Sequence, residues 1–377
     1  MIRRVIVQHL QADLFQGKAI LLFGPRQVGK TTVLEELLKD QNQPYLILNA
    51  DETDVRESLE NTTSTALRNL FGDNKIVFID EAQRVHNIGL TLKLITDQIK
   101  DVQVIASGSS AFDLASQTQE SLTGRKYEHL LLPVSFTEMV THHGLLEEKR
   151  LLQQRMIYGY YPEIVSNPSK AEKHIKLLAN SYLYKDLLQL ESMKKPALLT
   201  KILKALALQV GSEVSFQEIS RLVNADYHTV EKYIALLQKT FVIFTLPAFS
   251  RNVRNEIRKG QKIYFYDNGI RNSVIGNFHG LENRTDVGAL WENFLLAERM
   301  KYLNQQGIDR DTYFWRTTQQ QEIDYLEEDA NGIIAFEFKW NARKLPRFSK
   351  TFLNAYEVNS TEVITPENFT GFLGLDF

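Results

Sequence analysis

One short segment limits what this chain can become. Ala19-Ile20-Leu21-Leu22-Phe23 is an apolar run of strand length, Val33-Leu34-Glu35-Glu36-Leu37-Leu38 is a good helix-forming sequence, and Gly24-Pro25-Arg26-Gln27-Val28-Gly29-Lys30-Thr31-Thr32 joins the two. The spacing Gly24-x4-Gly29-Lys30-Thr31 is that of a P-loop. In such a loop backbone N–H groups at a helix N-terminus cradle phosphates, the lysine reaches the outer phosphates and the threonine hydroxyl ligates magnesium. The strand before it and the helix after it supply the context the pattern needs.

A second element agrees with the first. Lys75-Ile76-Val77-Phe78-Ile79-Asp80-Glu81 reads as a buried parallel strand ending in two carboxylates. Phosphoryl transfer asks for positioning and charge neutralisation more than covalent chemistry, so Asp80 is expected to hold the magnesium and Glu81 to position the attacking water. The plainer reading of the pair is a helix N-cap. Val102-Gln103-Val104-Ile105-Ala106 is a third strand, ending in Ser107-Gly108-Ser109-Ser110. Open α/β sheets bind ligands at that end, and Ser107 or Ser109 either senses the terminal phosphate or caps the next helix. Tyr45-Leu46-Ile47-Leu48-Asn49 is a fourth strand candidate.

The remainder is set by size and composition. At 377 residues the chain exceeds the roughly 150 residues of a typical domain, so two or three domains are expected. Lys plus Arg number 44 against 46 Asp plus Glu, a net charge of -2, so any binding to nucleic acid must be local. The chain has no cysteine, which removes disulfides, thiolate zinc sites and a cysteine nucleophile. No stretch approaches the ~18 apolar residues of a membrane span. The expectation is a cytoplasmic protein with no membrane partner.

Several segments, in order, resemble a prokaryotic family of AAA-type ATPases with a C-terminal domain of unknown function related to the PD-(D/E)xK nucleases. They are the loop Gly24 to Thr32, Phe78-Ile79-Asp80-Glu81-Ala82-Gln83, Ser107-Gly108-Ser109-Ser110, Ser121-Leu122-Thr123-Gly124-Arg125 and Leu132-Pro133-Val134-Ser135-Phe136-Thr137-Glu138. The resemblance implies binding and hydrolysis of ATP, with Lys30, Thr31, Asp80 and Glu81 in the roles given above. It also implies a small helical lid after the ATPase core. Arg125 is then a candidate arginine finger for a neighbour's nucleotide in a homo-oligomer, or else an ordinary salt-bridged arginine. Arg26, inside the loop, competes for the same role.

Beyond about residue 141 the chain reads as helical, and its aromatic residues as core packing. A compact unit follows: Leu198 to Val210, a helix opening at Ser215-Phe216-Gln217-Glu218, a turn at Asn224-Ala225-Asp226, a helix from Tyr227 to Lys239, and the β-like Phe241 to Leu246. This is a winged helix-turn-helix pattern. His228, Thr229, Glu231, Lys232, Gln238 and Lys239 would face outward on its second helix, a mixed set that does not spell base reading. Arg251, Arg254, Arg258, Lys259 and Lys262 form a basic stretch that could contact DNA phosphates; a spacer or protein-docking module is the alternative.

The C-terminal segment offers a second constellation. A helix through Gly288 to Ala297 precedes three strands, Thr312–Thr317, Glu322–Leu326 and Gly332–Trp340. Helix and three strands is the core order of PD-(D/E)xK nucleases. Glu337 and Lys339 share a strand face, Asp324 on the adjacent strand can meet Glu337, and Glu292 on the helix can add a ligand. Such a set could hold a second Mg2+ or Mn2+ for phosphodiester cleavage.

The expected class is therefore α/β. Its parts are an AAA-type P-loop ATPase core at 1–140, a helical lid at 141–196, a winged helix-turn-helix at 197–250 and a nuclease-like α/β domain at 251–377. The expected function is ATP hydrolysis with magnesium that controls a DNA-facing winged helix and nuclease-like domain. The rival is an ATP-gated signalling or scaffold protein without DNA processing.

Overall fold

The computed structural model describes residues 2–39, 41–108, 122–189, 196–251, 260–341 and 347–375. They fall into two compact units, the first made essentially of Met1–Pro133 and the second of the chain from Val134 onward.

The first unit runs α1 (Ile6–Asp13), β1 (Ala19–Phe23), α2 (Lys30–Lys39), β2 (Tyr45–Asn49), α3 (Thr53–Leu59), α4 (Ser64–Phe71), β3 (Ile76–Asp80), α5 (Ile88–Gln98), β4 (Gln103–Gly108) and β5 (Lys126–Leu130). Its five strands form one sheet in the order β2-β3-β4-β1-β5, and every pair is parallel. β1 and β4 are buried throughout and β3 over all but its last residue. Parallel strands covered on both faces read as continuous apolar runs, which is why these three were visible in the sequence.

This order decides what lies beside the loop. β4 sits between β1 and β3, with Leu22 level with Ser107 and Ile79 level with Ala106. The carboxyl ends of β1, β3 and β4 therefore deliver Gly24, Asp80 and Ser107 to the same edge.

The second unit opens with helices α6 (Phe136–His143), α7 (Leu145–Arg150), α8 (Leu152–Tyr158), α9 (Pro162–Ser166) and α10 (Ala171–Gln189). Ser135 and Glu138 make a full capping box at the start of α6. Next come α11 (Pro196–Leu208), β6 (Glu213–Val214), α12 (Phe216–Val223), α13 (Tyr227–Lys239), β7 (Ile243–Pro247) and β8 (Gln261–Phe265). β8 lies between β6 and β7, antiparallel to both.

The chain then forms α14 (Asn268–Ile275), α15 (Val287–Gln306), β9 (Asp311–Arg316), β10 (Glu322–Asp329), β11 (Gly332–Phe338), α16 (Lys350–Ala355), β12 (Val358–Ile364) and α17 (Phe369–Phe372). The last sheet has the order β12-β11-β10-β9, antiparallel except where β12 runs parallel to β11. Phe249, Trp315, Ile323, Leu326, Ile333, Ala335 and Phe352 form one core cluster on it.

α15 is the strut of this unit. Its Asn293 side chain accepts from Phe265 N (2.7 Å) and donates to Phe265 O (3.0 Å), gripping β8. Arg299 makes a two-pronged bond to the fully buried Glu327 of β10 at 2.6 and 2.9 Å. Glu298 accepts from Phe136 N and from Lys301 Nζ, both at 2.6 Å. Removing one partner of such a buried pair would strand the other charge, so these contacts fix the packing of α15 more than they add net stability.

Candidate nucleotide site and a carboxylate-lysine cluster

The loop of the first unit is closed on itself. Lys30, the first residue of α2, is only 7% exposed, and its Nζ donates to Gly24 O at 2.9 Å and Pro25 O at 3.1 Å. The ammonium is thus held over the loop's own carbonyls. Gly24 has φ 154°, and a Cβ there would stand 2.1 Å from Leu131 O; only glycine fits. Arg4 braces the loop from below the sequence motif, donating to Val28 O (3.0 Å) and Leu132 O (2.7 Å) while buried. Pro25 and Val28 are buried, Gly29 is half-buried at φ 92°, and Thr31 and Thr32 are exposed.

Asp80 is the meeting point. Its Oδ2 accepts the Thr31 hydroxyl at 2.9 Å, and its Oδ1 accepts the hydroxyl of the fully buried Ser107 and the N–H of Glu81 at 3.1 Å. The strand register places Ser107 beside Asp80, and no local sequence signal carries that. Glu81 adopts φ 51°, a left-handed conformation uncommon for a non-glycine residue. Its Oε2 accepts from Gln83 Nε2 at 2.5 Å. Thr31 Oγ1 and Asp80 Oδ2 are the pair of hard oxygens a magnesium ion takes, and they fit that ion.

The structure brings Lys30, Thr31, Asp80 and Glu81 to one edge but leaves Arg125 elsewhere within the chain. Arg125 precedes β5, its carbonyl accepts Ala19 N, and its Nε bonds Asp97 Oδ1 at 2.7 Å. That is the amino end of β1, about 16 Å of strand from Gly24 by the usual rise per residue. Ser109, with Ser110 and Ser121, lies outside the described residues.

In the second unit the expected carboxylates do converge, together with lysines. Asp324 Oδ2 accepts from Phe338 N at 2.8 Å and from Lys339 Nζ at 3.5 Å, and Lys339 Nζ lies 2.9 Å from Glu337 Oε2. Glu292 Oε1 accepts from Lys262 Nζ at 3.0 Å and from the Tyr264 hydroxyl at 2.5 Å, and Lys262 Nζ also meets Glu322 Oε1 at 2.6 Å. Lys262, Tyr264 and Glu322 were not expected here. The signal was period two: Lys262 and Tyr264 share one face of β8, and Glu322 shares a face with Asp324.

Burial pushes the Glu292 carboxyl up to about 7, with Lys262 opposing the rise and Asp324 adding to it. Burial, then the Asp324 charge, lifts Glu337 to about 6. Burial alone would lower the Lys262 ammonium, but the Glu292 and Glu322 carboxylates outweigh it and hold the group charged.

This corrects the reading of Lys262 as a phosphate contact: it is 1% exposed and committed to two carboxylates. Arg254, Arg258 and Lys259 lie outside the described residues. Among the described residues no group of three His, Cys, Asp or Glu side chains is disposed to hold a metal. One oxygen of each carboxylate in the second cluster faces a lysine Nζ: Glu292 Oε1 and Glu322 Oε1 meet Lys262, and Asp324 Oδ2 and Glu337 Oε2 meet Lys339. No helix among the described residues is long and apolar enough to cross a membrane.

Known proteins match the chain piecewise. Residues 16–140 match the model of an AAA domain, and residues 149–281 and 287–370 match two domains of unknown function, DUF8612 and DUF4143. An uncharacterized protein of Mycobacterium tuberculosis is 27% identical over 346 residues, covering 89% of this chain and 74% of that protein. The replication factor C large subunit of Methanosarcina acetivorans is 27% identical over 85 residues, 22% of this chain and 14% of that one. A solved Walker-type ATPase of Pyrococcus abyssi aligns with 15% identity and a TM-score of 0.47 over 73% of this chain and 96% of that one. Domain match, parallel sheet and loop geometry agree on an AAA-type P-loop domain over residues 16–140.

Proposed function

We propose that the chain binds ATP on the loop Gly24 to Thr32 and hydrolyses it, and that nucleotide state sets what the second unit engages. The observation that carries this is the convergence on Asp80 of the Thr31 and Ser107 hydroxyls, beside a buried Lys30 poised at the loop. Lys30 would leave the Gly24 and Pro25 carbonyls for the outer phosphates. Thr31 and Asp80 would hold magnesium, which supplies charge neutralisation to the phosphates when bound. Glu81 would orient the attacking water. Arg125 would act only on a neighbouring copy's nucleotide, since within its own chain it stands at the opposite end of β1.

In the second unit, the order helix, short strand, two helices and a β pair, with β8 between β6 and β7, supports a winged helix-turn-helix. α15 followed by β9, β10 and β11, with Asp324, Glu337 and Lys339 in contact, supports a nuclease-like domain. DNA is one partner this reading allows. The second reading, an ATP-gated partner-binding protein, is favoured by Lys262, which lies outside the Glu337-x-Lys339 pattern and sits on the Glu292 and Glu322 carboxylates.

Two experiments separate these. Calorimetric titration with ATP and magnesium should show binding to the wild type and its loss in Lys30→Ala; equal binding by both would remove the loop from the account. Incubation of supercoiled plasmid with magnesium or manganese, with and without ATP, tests the nuclease-like domain beside Lys339→Ala. Metal-dependent nicking absent from the variant supports cleavage, and intact plasmid under every condition supports partner binding.

A further inference from the structure

The second unit contains an open cleft of about 940 Å³, lined by β6, the first turns of α12 and α13, and the β9–β10 hairpin. Its chemistry is particular. Phe216 and Tyr227 present aromatic rings 6.1 Å apart, and Tyr227 is 43% exposed. Glu213 and Glu231 add carboxylates, and three glutamines and two threonines add amides and hydroxyls.

Both rings are fixed by helix starts. Ser215 accepts from Glu218 N, which sets Phe216 at the first position of α12, and Asp226 accepts from Thr229 N at 2.9 Å, which sets Tyr227 at the first position of α13. These caps occupy amides that would otherwise draw an anion to the two helix ends. The Asp226 carboxylate opposes an anion further.

Arg316, the one arginine of the lining among the described residues, does not offset this. Arg316 Nη1 lies 3.7 Å from Glu213 Oε2, its Nε lies 3.4 Å from Glu322 Oε2, and its Nη2 donates to Gln320 Oε1 at 3.4 Å. Arg316 is shared by Glu213 and Glu322, and Glu322 also holds Lys262, whereas among the described residues Glu231 faces only His228, at 3.6 Å. A phosphodiester chain entering here would meet carboxylates. A guanidinium or ammonium would meet aromatic faces and carboxylates together, the arrangement that holds organic cations.

We infer that this cleft is a docking site for a basic peptide segment of a partner protein, with an arginine or lysine side chain over the Phe216–Tyr227 pair and its charge against Glu231. The volume lies near the top of the range of about 300–1,000 Å³ found for compact ligand sites, room for one anchoring side chain with the extended backbone on either side. The inference does not depend on ATP turnover.

The test is fluorescence anisotropy of the full chain, without nucleotide and at low ionic strength, using fluorescein-labelled Ac-Arg-Gly-Arg-Gly-Arg-Gly-amide. Binding is expected, weakened about three- to tenfold by Tyr227→Ala, by Glu231→Gln, and by replacing the peptide's arginines with citrulline. Glu231 is exposed, so its variant keeps the test valid should Tyr227→Ala disturb α13. Absence of peptide binding, or affinity unchanged in both variants, overturns the inference. So does tighter binding of fluorescein-labelled oligo(dT) that the same two substitutions weaken.

Discussion

Glu81 is held rather than merely present. A left-handed backbone turns its side chain away from the line of β3, and Gln83 Nε2 fixes one carboxylate oxygen. A base or water-orienting group works by geometry, and its misplacement by about 1 Å costs far more in rate than in binding. Gln83→Ala should therefore lower kcat for ATP about tenfold with KM unchanged, read from steady-state phosphate release; a change in KM alone would make Gln83 a binding residue. Glu292 makes a pH prediction. Its folded value near 7 exceeds the ordinary 4.5, so the folded form holds the proton more tightly than the unfolded chain. Its contribution is complete below 4.5 and is lost as pH rises through about 7. Urea midpoints of the wild type should fall relative to Glu292→Gln across that window, and parallel curves would contradict the assignment. At this scale the sequence told most where partners are near in number: the loop's spacing gave Lys30 and Thr31, and Glu337-x-Lys339 gave a contact. Arg4 was illegible as a partner of the loop, because it meets it through tertiary folding; Ser107 was read as a residue of the phosphate end, but its bond to Asp80 follows from the register of β4 against β3.

Elements position these residues through close backbone approach. Gly24 at φ 154° lies against the carbonyl of Leu131, just past β5, so the loop and the end of β5 are built around an absent side chain. Gly24→Ala should lower stability by about 2 kcal/mol or more and remove ATP binding; a normal melting curve with normal ATP affinity would refute the close approach. Arg4→Ala deletes two buried bonds from a charged donor to Val28 O and Leu132 O and should cost about 2–4 kcal/mol, measured by chemical denaturation. Strands with both faces buried announced themselves as apolar runs. β5, Lys-Tyr-Glu-His-Leu at the sheet edge, did not, because an edge strand carries charge and looks like loop. β6, two residues long, has no periodicity to read.

For the whole molecule, two compact units on one chain suit a device in which nucleotide chemistry and its output are separate. The ATPase half was legible because its chemistry is tied to a fixed loop. The second unit was legible as an order of elements but not as a function, since Lys262 of β8 reaches Glu292 and Glu322 only through the fold. Arg125 belongs to this scale: it stands at the far end of β1 from Gly24, bonded to Asp97. Turnover per chain should therefore rise with protein concentration and lose that rise in Arg125→Ala, and a rate independent of concentration in the wild type would leave Arg125 a surface ion pair. The most direct test of the central claim is phosphate release from ATP with magnesium by the wild type and by Glu81→Gln, with retained ATP measured on the same samples. The account predicts release by the wild type, and ATP retained without release by the variant. Equal release from both would contradict it.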